Sequence, residues 1–168
     1  YTEAAYAAEE AVLLYRDLAA VRPEKFRSEL ADALSAHADS LCELGHRQEG
    51  LVAFDEAVAI FGELSQGRPD EFRPDYALAL RSLACSLSEV GRRAEALAAA
   101  EGATTIFREL AEARPDRFQA ELAAAVYTLA SRLSEVARPR QALVAAREAE
   151  GFYRVLALAH PEQHNRDL

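Results

Sequence analysis

Apolar residues fall at helical spacing in seven successive stretches, each closed by a glycine turn or an Arg-Pro pair or, in the last two cases, by Ala137 and His160-Pro161. Residues 3–21 carry Ala8, Ala11, Val12, Tyr15 and Leu18 on one face, which predicts an amphipathic helix. Arg22-Pro23 ends it, because the residue before a proline is pushed out of the α region, and Phe26 is expected to anchor the turn. Helical spacing resumes at Leu30, Leu34, His37, Ala38, Leu41 and Leu44 and stops at Gly45, a fit to a left-handed C-terminal cap. A helix over about 48–66 puts Leu51, Phe54, Ala57, Val58, Phe61 and Leu64 on its buried face before Gly67 and Arg68-Pro69 close it. The same plan predicts helices over about 73–90, 93–112, 119–136 and 140–159, with Pro74 tolerated only in a first turn. Seven helices of roughly 17–20 residues result, each about 25–30 Å long.

The pattern has a fixed step. Pro23, Pro69, Pro115 and Pro161 stand 46 residues apart, as do Phe26, Phe72 and Phe118, and Leu41, Leu87 and Leu133. Glu43, Glu89 and Glu135 keep the same interval, and so do Ala11, Ala57, Ala103 and Ala149, with no insertion or deletion anywhere. A period of this length marks a repeat array, in which each helix pair buries its apolar face against the next pair. Short connections make neighbouring helices antiparallel. The third unit departs locally. Ala137 replaces the glycine found at 45 and 91, and Pro139 replaces Arg93, so that turn is expected to survive with altered geometry.

The units resemble tetratricopeptide repeats. The first full unit offers Leu34, His37-Ala38, Leu41, Gly50, Phe54 and Ala57; the second Leu80, Leu83-Ala84, Leu87, Ala96, Ala100 and Ala103; the third Val126, Leu129-Ala130, Leu133, Ala142, Ala146 and Ala149. The small residues belong where two helices cross and a larger side chain would hold them apart. The family's usual unit is about 34 residues. Here Pro69 and Pro115 follow Ala57 and Ala103 by 12 residues, so both helices are longer. The resemblance is to long-unit relatives such as the kinesin light chain type and the arrays of high-GC bacterial regulators. It implies an all-α fold, a right-handed α-α superhelix or TPR-like solenoid of antiparallel helix pairs. One repeat domain over 1–168 is expected: 1–22 the second helix of a truncated unit, 23–68, 69–114 and 115–160 three full units, and 161–168 the start of another.

Composition narrows the function. Much Ala, Leu, Glu and Arg with few Gly and Pro suits helices throughout. The net charge is −9, with Lys25 the only lysine, which disfavours nucleic acid and anionic membranes and favours a basic protein or peptide as partner. Cys42 and Cys85 form no spaced framework, so a reducing cytoplasmic compartment is expected. No apolar run is long enough to span a bilayer, and no charged-then-apolar leader precedes the first helix. The lack of any Met suggests a segment of a longer protein, and the resemblance implies a bacterial one.

In the family the resemblance points to, the first helices of successive units line a groove that binds peptides or protein segments. By register this places Asp32, Ser35, Asp39, Cys42 and Glu43 of the first full unit there, with Leu78, Arg81, Cys85, Ser88 and Glu89 of the second. The third contributes Ala124, Tyr127, Ser131, Ser134 and Glu135. The Glu43, Glu89, Glu135 ladder is either an acidic stripe suited to Arg or Lys, or a row of helix-end carboxylates at a solvated rim. Arg81 and Tyr127 are the strongest single contact candidates, since these residue types concentrate at binding hot spots. The Lys and Asn that clamp a terminal carboxylate in some relatives are missing from these positions.

Catalysis has little support: there is no phosphate loop and no His-Glu-x-x-His, and no catalytic, cofactor or metal site is expected. His37 falls at a core position, where a buried neutral ring is expected. Cys42 and His46 are four apart, but Gly45 ends the helix between them. The chain's two ends are a second candidate surface. Val12, Tyr15 and Leu18 at one end, and Phe152 and Leu156 at the other, lack the polar outer face of a cap and would permit homo-association. The expected role is a non-catalytic binding scaffold; the alternative is a structural spacer or self-association module.

Overall fold

The computed structural model of the chain describes residues 2–159. Over that range it holds seven helices: α1 (Thr2–Val21), α2 (Pro23–Glu43), α3 (Arg47–Gly67), α4 (Pro69–Glu89), α5 (Arg93–Ala113), α6 (Pro115–Glu135) and α7 (Pro139–Ala159). No strand occurs among the described residues. Pro161–Leu168, read above as the start of a further unit, lies outside them.

The link between units is shorter than the sequence suggests. Helices α2, α4 and α6 open directly on Pro23, Pro69 and Pro115, so each begins several residues before the start expected from its apolar spacing. Only one residue separates them from the preceding helix: Arg22, Arg68 or Arg114, at φ −138°, −137° and −144°. A proline at the first helical position gives up an N–H that would be unpaired there anyway, and its fixed φ already suits the helix. The phenylalanines therefore sit in first helical turns instead of over a loop. Phe72 and Phe118 are buried, with the Arg68 and Arg114 guanidinium carbons 4.5 Å and 5.4 Å from their ring centroids. Phe26 is half-buried under Lys25.

Pro74 is a further correction, since it lies inside α4 beyond the first turn. It removes one backbone bond, but the carbonyl it leaves belongs to exposed Asp70, where water can satisfy it. Packing of α4 against both α3 and α5 then carries the helix through.

Within each unit the connection is a left-handed cap. Gly45 (φ 86°) and Gly91 (φ 82°) donate to Cys42 and Ser88 carbonyls at 3.0 and 2.9 Å, while His46 and Arg92 reach back to Leu41 and Leu87 at 2.8 and 2.9 Å. The third turn repeats this without glycine. Ala137 takes φ 57°, its N–H donates to Ser134 at 3.1 Å, and Arg138 donates to Leu133 at 3.0 Å. The turn survives as expected: the same pair of hydrogen bonds holds alanine in the left-handed region, at φ 57° against 86° and 82° for the glycines, a conformation alanine adopts less readily.

Each helix packs on the one before and the one after, and α4 and α6 also meet directly. This is a helical-repeat solenoid. Its core is built of small residues at the crossings, with Ala38, Ala57, Ala84, Ala96 and Ala103 fully enclosed. The closest approach is at Gly50, where an added Cβ would stand 2.7 Å from Cys42 Sγ and 2.9 Å from the Ala38 carbonyl. Buried Thr104 ties two helices, its hydroxyl donating to Ala100 at 2.8 Å and lying 3.3 Å from the Ala125 carbonyl.

Two core expectations change. His37 is half-buried instead of enclosed, with an Nδ1 that has no partner. Val12, expected at an open end, is buried under α2 at 6% exposure. The apolar residues left in solvent are others: Tyr6, Leu13, Leu14 and Val21 on α1, and Leu143, Val144, Tyr153, Val155 and Leu158 on α7.

Candidate functional site: the face of the first helices

Helices α2, α4 and α6 present one face away from their partners, and the register positions named above fall on it. None of Asp32, Ser35, Asp39, Glu43, Leu78, Arg81, Cys85, Glu89, Tyr127, Ser131 and Glu135 is buried. Tyr127 and Leu78 stand out as large apolar groups in solvent, at 61% and 37% exposure. Ser35 and Ser131 turn their hydroxyls onto the carbonyls of Ala31 and Tyr127, so neither is a free donor.

The α2 end of the face is acidic and unneutralised. Burial among neighbouring atoms raises the Asp32 carboxyl, and Asp75 and Glu29 add to the effect. Burial likewise raises Asp39, followed by repulsion from Glu43. Both side chains still reach solvent, so the loss of hydration is partial. Neither has a cation among the groups that shift it.

The glutamate ladder is not a uniform stripe. Glu89 accepts from Arg47 Nε at 3.2 Å, and Glu135 pairs with Arg132 at 2.9 Å while accepting the Ser88 hydroxyl at 2.6 Å. Only Glu43 has no cation against it among the described residues. Two rungs are thus already occupied, one by Arg47 from α3 and the other by Arg132 three residues earlier in α6, with Ser88 joining the second across α4 and α6.

Arg132 is the residue that register reasoning passed over. It is 13% exposed, donates to the Ala84 carbonyl at 3.2 Å across the α4–α6 seam, and leaves its Nε enclosed without a partner. The available signal was a break in the period, since Ser40 and Ser86 hold the equivalent positions.

Between α2 and α4 lies a recess of about 240 Å³ lined by Asp39, Cys42, Phe54, Arg81, Ser82, Cys85, Ser86 and Glu89. Arg81 makes no salt bridge among the described residues, and its Nε is buried without a hydrogen-bond partner. Cys85, exposed at the same place, has its thiol pushed up by burial, with Arg132 and Arg81 pulling the other way. Cys42 lies 3.9 Å from Ser86 Oγ, and burial raises its thiol too. His46 starts α3 with Nδ1 on Glu49 at 3.0 Å. A thiol held protonated by burial opposes the activation a Cys–His nucleophile needs.

Among the described residues no helix is long and apolar enough to cross a membrane, and no group of three or more His, Cys, Asp or Glu is arranged to hold a metal ion. No protein-family model and no curated protein matches the chain. A solved structure, BtubC (BKLC) from P. vanneervenii, is similar over 92% of this chain and 91% of its own, at 13% identity and a TM-score of 0.28.

Proposed function

We propose that the chain is a long-unit tetratricopeptide-type array whose first-helix face binds a protein or peptide segment without catalysing a reaction. The observation that carries this reading is Arg81: a groove guanidinium in a recess between two helices, with a buried Nε and no partner. Arg81 lines the recess, where a ligand carboxylate can pair with its guanidinium charge. Exposed Tyr127 on the next unit adds the kind of rigid amphipathic surface that interfaces favour. The net charge of −9 supports a protein partner over nucleic acid or an anionic membrane. Two free thiols suit a reducing, cytoplasmic setting.

The test is affinity capture from a lysate of the source organism with wild type and the Arg81→Ala/Tyr127→Ala double variant. A partner retained by the wild type and lost by the variant supports the groove; equal retention refutes it.

A second reading has its own observation. Exposed apolar side chains concentrate on α1 and α7, the two end helices, which suits end-to-end self-association of a scaffold. Sedimentation across a concentration series tests it. Association abolished by Leu14→Glu or Val144→Glu supports that role, and a monomer at every concentration removes it.

A further inference from the structure

The first-helix face changes character in a fixed order along the array. On α2 it offers Asp32 and Asp39, acids with no cation against them among the described residues. On α4 it offers Arg81, a cation that makes no salt bridge among the described residues. On α6, at the position 46 residues beyond Arg81, it offers the ring of Tyr127. Asp39 and Arg81 line the same recess yet do not pair, so each is free for a ligand group of opposite charge. Glu89 is engaged by Arg47 and Glu135 by Arg132 and Ser88, while Glu43 stands beside Asp39 and adds to the negative charge at that end.

Geometry converts this order into a spacing. Packed helices lie about 8–10 Å apart, and an extended chain advances about 3.3 Å per residue, so roughly three ligand residues separate one first helix from the next. The direct meeting of α4 and α6 fits that separation.

We propose that this face reads an extended peptide segment in which a cationic, an acidic and an apolar or aromatic residue follow one another at intervals of about three, on Asp39, Arg81 and Tyr127 respectively. The proposal rests on the groove reading above and gives its partner a chemistry. The central acid distinguishes it from a merely basic ligand, the expectation drawn from net charge alone. It is also independent of chain direction, because reversing the peptide leaves the acid in the middle.

Two labelled peptides of identical composition test it by fluorescence anisotropy. One has the order Lys-x-x-Glu-x-x-Phe and the other Glu-x-x-Lys-x-x-Phe, with Ala and Ser as filler. The first should bind about tenfold more tightly, a difference two complementary charge contacts can supply. Arg81→Glu should abolish the preference, since each peptide then meets one attractive and one repulsive contact, Arg81→Ala should reduce it to about threefold because Asp39 still discriminates, and Asp39→Arg/Arg81→Glu should reverse it, with the far-ultraviolet dichroism unchanged throughout. Equal binding of the two peptides, no binding of either, or a preference indifferent to Arg81→Glu overturns the proposal. Lysate capture separates the two levels. A partner still lost by the Arg81→Ala/Tyr127→Ala variant preserves the groove and sinks only the charge order, whereas failure of both sinks the groove as well.

Discussion

Ala137 occupies a backbone conformation that its two counterparts leave to glycine, and replacing it should stabilise the protein. At φ 57° a Cβ crowds the following carbonyl, at a cost of about 1–2 kcal/mol. Ala137→Gly removes that strain but gives the unfolded chain more freedom, worth about 0.4–1 kcal/mol in the other direction. The net expectation is a gain of about 0.5–1 kcal/mol. Gly91→Ala is the mirror experiment. A Cβ built there meets nothing within 4 Å, so the loss of similar size would be conformational alone. For a chain of this length each kcal/mol moves the melting temperature by about 2–4 °C. Thermal melts followed by far-ultraviolet dichroism should therefore show Ala137→Gly shifted up and Gly91→Ala shifted down. Units of a solenoid open partly independently, so the Ala137→Gly gain should also appear as slower amide exchange in α7. Shifts of the same sign for both variants, or a loss for Ala137→Gly, would refute the argument that the cap alone forces alanine into this conformation.

Leu87 is 4% exposed in the core, and Leu87→Ala should cost about 2–5 kcal/mol in urea denaturation; a near-zero loss would mean the helix crossing does not depend on it. Gly50→Ala gains about 1 kcal/mol of helix propensity but drives a methyl against Cys42 Sγ and the Ala38 carbonyl, an overpacking cost of about 1–3 kcal/mol. A net loss of about 1 kcal/mol is expected, partly recovered by Cys42→Ser; a double-mutant cycle with no coupling would show that the sulfur is not the obstacle. Asp39→Asn should stabilise at neutral pH. Its raised native pKa means the folded state holds the proton more tightly than the unfolded one, so stability falls as pH rises from the ordinary carboxylate value through the raised one. The difference between variant and wild type should be full above that window and vanish below it; a gain that persists unchanged in acid would assign the effect to something other than charge.

Much of the fold was legible because a repeat reports the same local demands several times over. The apolar spacing located seven helices, the step of 46 fixed which residues are equivalent, and small residues at 50, 96 and 142 marked the crossings. These features depend on neighbours in sequence or on the adjacent helix, and periodicity records both. Helix starts were less legible, since proline reads equally as a stop and as a first helical residue, and only the packed structure chooses the latter at Pro23, Pro69 and Pro115. The path through Pro74 was likewise decided by packing on both sides of α4. At the candidate site the register placed the right face in view but not its electrostatics. Whether Glu89 stands free or holds Arg47 depends on side chains 42 residues apart, and although Arg132 reaches Glu135 within one helix, Ser88 and the Ala84 carbonyl meet that pair only across the α4–α6 seam. Charge pairing follows distances of a few ångströms, and those are set by how the helices stack, a property no single repeat contains.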